Sequence, residues 1–160
     1  MKIPKTYKGI PVVVQKKHPK KLKRYIATAT VDKNKEAIIK IWPDTKRHIT
    51  PYVLKHEAAH VELGHHKPPY PKTVGGYWKR EMQAERLVHN NGRLPSSIIG
   101  NNMDGIVGEG PKSFRKMIVN NPSIEREYFM KYHKGFGIKK EEVDRGLNYI
   151  RTHRKKKFKI

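Results

Sequence analysis

Residues 50–64 read Thr50-Pro51-Tyr52-Val53-Leu54-Lys55-His56-Glu57-Ala58-Ala59-His60-Val61-Glu62-Leu63-Gly64, and the reading of this stretch decides the fold. Thr at the N-cap, Pro at the first helical position and Gly after the last periodic apolar residue mark one helix from start to stop. At ~100° per residue, Tyr52, Val53, His56, His60 and Leu63 share one face and Leu54, Ala58 and Val61 the opposite face. Only Lys55 and Glu62 form a polar stripe, so most of the helix is expected to be covered by protein. Glu57 lies between the two apolar faces, where an ionised carboxylate needs a cation or hydrogen-bond donors.

The centre of the helix has the pattern H-E-x-x-H. His56 and His60, four residues apart, project from one face and can share a Zn2+, with Glu57 placed to activate a water. Nine histidines in 160 residues make a chance spacing possible, so the surrounding sequence has to decide. After Gly64 come His65-His66 and a turn-rich loop, KPPYPKTVGG. A second helix is expected from about Tyr77 to Asn90, closed by Asn91-Gly92. Tyr77, Ala84 and Val88 flank one edge of its apolar face and Trp78 and Met82 the other, with Glu81 and Glu85 in the middle. Two carboxylates in a core-facing stripe need positive partners. Lys or Arg could serve, but beside an H-E-x-x-H helix metal ligation is the better account. Catalytic zinc takes three protein ligands and keeps a position for water. Glu81 can be the third, with Glu85 one turn later hydrogen-bonded to a ligating histidine. The rival third ligand is His66, six residues after His60. That is near the metzincin spacing, although Gly64 follows His60 by four residues rather than three. Tyr70, Tyr77 and His89 are available as oxyanion donors, and the sequence selects none of them.

The run LKHEAAHVELGHH, preceded by EAIIKIW and followed by EMQAERLV and Leu94-Pro95, resembles the ImmA/IrrE-type metallopeptidases over roughly residues 38–95. That family couples H-E-x-x-H on one helix to a Glu on the next in an E-x-x-A context, which Glu81 to Ala84 reproduces. The resemblance implies a zincin-like fold, peptide-bond hydrolysis, His56, His60 and Glu81 as zinc ligands and Glu57 as the catalytic base. Leu87-Val88 stand where the family has an aromatic-Ala pair, and no helix-turn-helix is recognisable. The HExxHxxxGxH frame is also similar to WLM-type proteases acting on DNA-protein crosslinks, a likeness of about a dozen residues that implies His66 as third ligand.

Composition adds a partner. The chain carries 36 Lys and Arg against 14 acids, a formal net charge of +22. Every acid lies between Asp32 and Asp144, so residues 1–24 and 151–160 form basic segments suited to phosphate backbones. No cysteine is present, which excludes disulfides and Cys-ligated zinc, and a metal must use His, Asp or Glu. The N-terminus lacks the apolar core of a signal peptide and nothing approaches a membrane span, so a soluble, cytoplasmic protein is expected. Strands are expected over residues 9–14, 25–31 and 36–42, the last two as a hairpin across Asp32-Lys33-Asn34-Lys35. Residues 96–110, rich in Gly and Asn, read as a loop; 111–119, 122–132 and 139–150 read as helices.

Together these features predict a single α+β domain over residues 1–160: a small antiparallel sheet on the H-E-x-x-H helix, a second Glu-bearing helix and further helices C-terminal to them. The expected function is a zinc metallopeptidase acting on protein or peptide substrates, on or near nucleic acid bound through the basic termini. The alternative is a DNA- or RNA-binding accessory protein with a structural or inactive zinc site.

Overall fold

The computed structural model describes residues 1–22 and 25–157. The chain is α+β and forms two compact units, Met1–Tyr70 and Pro71–Ile160.

In the first unit, four strands, β1 (Thr6–Tyr7), β2 (Ile10–Val14), β3 (Ala27–Val31) and β4 (Ala37–Ile41), make one sheet in the order β1-β2-β4-β3. Lys8 and Gly9, with φ of 49° and 77°, form the two-residue turn between β1 and β2, a conformation that twists with the flanking strands. The hairpin of β3 and β4 pairs Ala27 with Ile41 and Val31 with Ala37, and the Asp32 carboxylate organises its turn by accepting from Asn34 N and Glu36 N. The sheet is mixed rather than antiparallel, because β2 runs parallel to β4, with Val12 opposite Ile39. After β2 the chain passes β4's position before forming β3, which puts β3 on the outer side of β4 and leaves β4 between β2 and β3. Ile38, Ile39 and Ile41 of β4 are accordingly buried, whereas Val13 and Val14 of β2 are exposed. Strand patterning reports burial and not direction, so the parallel pair was not readable from it.

Helix α1 (Pro51–Glu62) packs on β3 and β4. Its Leu54 joins Val12, Ala27, Ile39, Ile41 and Ile49 in the core of this unit. Burying each such aliphatic side chain contributes about 1.5–3 kcal/mol, enough to hold a sheet this small against its helix.

The second unit is helical: α2 (Val74–Val88), α3 (Ser96–Gly108), α4 (Lys112–Asn120), α5 (Pro122–Tyr132) and α6 (Val143–Lys157). Helix α2 begins three residues ahead of Tyr77, because the Thr73 side chain caps it by accepting from Gly76 N. Residues 96–108 form a helix where a loop was expected. Its Ile99, Met103, Ile106 and Val107 are buried in the core with Leu147 and Ile150 of α6. The glycines that suggest a loop act here as close-packing positions. A Cβ on Gly100 would stand 2.5 Å from Tyr149 Cδ1 and 3.0 Å from Gly146 O, and one on Gly146 would stand 2.8 Å from Ile99 Cγ2. Helix α6 runs on to Lys157, past the expected end at Ile150 and into the basic tail. Residues 23–24 and 158–160 of the two expected basic segments lie outside the described residues.

Candidate metal centre

Helix α1 supplies the first half of the site. The Thr50 hydroxyl accepts from Val53 N at 3.2 Å, fixing the start of the helix and hence the phase of every residue after it. One turn separates His56 and His60, and their Nε2 atoms face each other at 3.0 Å, with ring centroids 4.7 Å apart and the rings at 75°. Burial follows the wheel in part: Leu54, Glu57, Ala58, Ala59 and His60 are buried, while Tyr52 and Leu63 at the two ends are exposed.

Glu57 has the hydrogen-bond donor that its position demands. Its Oε2 accepts from the backbone N–H of Ala29 on β3 at 2.7 Å. The sheet therefore fixes the carboxylate's orientation beside the two histidines. The place of Glu57 on the helical wheel calls for a donor but does not name Ala29, which lies 28 residues away in the chain.

Two histidines after the helix occupy different environments. His65 is half-buried; its Nδ1 lies 3.0 Å from His60 Nδ1, and its backbone N–H donates to His60 O at 2.8 Å. His66 is buried, and burial pushes its imidazole pKa below the ordinary value. Neighbouring Lys67 acts in the same direction, and a hydrogen bond to the His60 backbone acts against both. The His66 carbonyl accepts from the Tyr70 hydroxyl at 3.1 Å.

Helix α2 carries the expected carboxylates. Glu85 is buried and Glu81 half-buried, on a helix whose Met82, Ala84 and Val88 are also buried. The Glu85 carboxylate lies 3.8 Å from His89 Nε2, one turn on, and Tyr77 meets Trp78 edge to face. Arg86 on the same helix donates to both oxygens of buried Glu142, at 2.5 and 3.2 Å, and to Gly137 O at 2.8 Å.

One ligand atom from each of His56, His60 and Glu81 lies within 4.8 Å of the other two, a spacing that could hold a metal ion. His66 is not a member of that group. No protein-family model, curated protein or solved structure matches the chain. The chemical reading therefore rests on these residues. Two imidazoles and a carboxylate are a donor set of catalytic zinc sites, which use three protein ligands and keep a further position for water. Two nitrogen ligands at ~2.0–2.1 Å in tetrahedral geometry stand about 3.3 Å apart, near the 3.0 Å between the two Nε2 atoms. His65 is the residue that the sequence left unassigned. The only signal for it was the pair His65-His66 directly after Gly64, which read as part of a loop.

Proposed function

We propose that this protein is a zinc-dependent metallopeptidase of the ImmA/IrrE-like kind, with His56, His60 and Glu81 as metal ligands and Glu57 as general base. The facing Nε2 atoms of His56 and His60, next to a buried and oriented Glu57, carry the reading. When bound, zinc supplies Lewis acidity to an attacking water and to the scissile carbonyl. The residues of the chain do the remainder. His56 and His60 present their Nε2 lone pairs from one face of α1, and Glu81 adds a single negative charge to the donor set. Glu57 takes a proton from the attacking water at a carboxylate oxygen and passes it to the leaving amine. The hydrogen bond from Ala29 N–H holds the buried Glu57 carboxyl group in one orientation.

The substrate is a protein or peptide that meets the enzyme on or near nucleic acid. Lys2, Lys5, Lys8, Lys16, Lys17, Lys20 and Lys21 are all exposed, and no acid precedes Asp32, which supports contact with phosphate backbones. The same lysines support a second reading, a nucleic-acid-binding protein in which the metal site is structural. Both readings include a bound metal, and turnover separates them. Zinc-loaded protein incubated with an unfolded polypeptide is expected to yield new N-termini by mass spectrometry. Chelation is expected to stop cleavage, and Glu57→Gln to abolish it while the zinc remains. A zinc-loaded protein that binds DNA or RNA and cleaves no polypeptide favours the second reading.

A further inference from the structure

We infer that His65 is a positioning residue for the metal site, fixing the tautomer and ring orientation of His60 through the Nδ1···Nδ1 contact. The inference rests on the metal-site reading and adds a residue to it. A histidine that ligates through Nε2 must carry its proton on Nδ1, and that N–H requires an acceptor. Nδ1 of His65 lies 3.0 Å from Nδ1 of His60, so with one proton between them one ring donates and the other accepts. Only one assignment leaves His60 able to ligate. His60 Nδ1–H donates, His65 Nδ1 accepts, and the lone pair of His60 Nε2 is turned toward His56 Nε2, 3.0 Å away. In the reverse assignment His60 carries its proton on Nε2 and is lost as a ligand.

The local fold makes His65 available for this role. Gly64 takes a left-handed conformation, with φ of 73°, that turns the chain back at the end of α1. His65 N then donates to His60 O at 2.8 Å, so backbone and side chain of His65 both clasp the same residue, and the rings sit 5.2 Å apart at 55°. Burial of His60 keeps water from replacing the acceptor easily. A neutral imidazole thus fills the place that a carboxylate or carbonyl takes beside many zinc-bound histidines.

The test is a titration of full-length apo-protein with Zn2+ in competition with a chelator, and with Co2+ read by its visible absorption. Removing the acceptor with His65→Ala is expected to lower metal affinity about 10- to 100-fold. His65→Asn, whose side-chain oxygen can replace the Nδ1 acceptor, is expected to bind within about three-fold of wild type and to restore the Co2+ spectrum. His65→Leu retains bulk without an acceptor and is expected to behave like His65→Ala, so a folding failure of the alanine variant leaves the comparison intact. Equal affinity in wild type and His65→Leu overturns the role of His65, as does His65→Asn binding as weakly as His65→Leu. Failure of the underlying reading has a different signature: wild type itself binds no zinc, or His56→Ala binds it as tightly as wild type.

Discussion

Replacing Arg86 with methionine isolates one buried charge, that of Glu142. Arg86 holds this carboxylate at two points, and the side chains of the pair are 17% and 5% exposed. Burial pushes the Glu142 pKa up, but the hydrogen bonds and charge of Arg86 with the N–H of Lys139 outweigh it and hold the carboxyl below its ordinary 4.5. A depressed folded pKa gives stability that is fully present above the unfolded value and is lost as pH falls through the folded one. In wild type the contribution is therefore intact at pH 5 and above. In Arg86→Met the carboxylate either stays charged and buried with the Lys139 N–H at 2.9 Å and the charge of Lys139 to support it, or takes up a proton. The proton route bounds the penalty: keeping a group of intrinsic pKa 4.5 neutral costs about 3 kcal/mol at pH 7 and about 0.7 kcal/mol at pH 5. Removing one partner of a buried pair costs about 3–5 kcal/mol in general, so the two routes are close at neutral pH. Urea unfolding is expected to show a loss of about 3 kcal/mol at pH 7 that shrinks by about 2 kcal/mol at pH 5. The same loss at both pH values, or none at pH 7, refutes the reasoning. The result matters for the site because Arg86 anchors α2, the helix that carries Glu81 and Glu85, within its own unit.

Other perturbations test other links. Gly100→Ala gains about 1 kcal/mol of helix propensity but forces a Cβ to 2.5 Å from Tyr149 Cδ1 and 3.0 Å from Gly146 O, so a net loss of about 1–2 kcal/mol is expected; a raised melting temperature contradicts the close-packing account. Thr50→Ala removes the acceptor for Val53 N and is expected to cost about 1 kcal/mol in denaturant unfolding, with zinc affinity reduced if the start of α1 frays; unchanged stability refutes the cap's role. Nucleic-acid affinity, measured by fluorescence anisotropy, is expected to fall at least about ten-fold between ~50 and ~200 mM salt, and to weaken when Lys16, Lys17, Lys20 and Lys21 are changed to Gln; a salt-independent affinity rules out backbone contact. Glu57→Gln keeps the size of the side chain and an oxygen for Ala29 N, so it is expected to fold with wild-type stability while losing all cleavage.

What the sequence makes legible here follows from how local the determining physics is. Helix α1 could be read at both ends because Thr50, Pro51 and Gly64 act on the backbone within a turn of themselves. The need of Glu57 for a donor also followed from its place on the wheel, although the donor, Ala29 N, comes from a distant strand. Residues 96–108 misled because Gly and Asn weaken a helix in isolation; only the partner surface of α6, with Tyr149 and Gly146, gives those small residues their purpose. The direction of β2 is hidden for a related reason: its run Ile10-Pro11-Val12-Val13-Val14 marks a strand, while the connection from β2 to β3 sets which way that strand runs. Spacing does not single out His65, because its ring meets His60 Nδ1 only after the left-handed turn at Gly64.

The central claim is a metal centre made by His56, His60 and Glu81, and metal analysis of purified protein tests it most directly. Wild type and His66→Ala, expressed with ample zinc and dialysed, are expected to retain about one zinc per chain, and His60→Ala and Glu81→Ala to lose it. A zinc-free wild type, or a Glu81→Ala variant that keeps its zinc while His66→Ala loses it, contradicts the account.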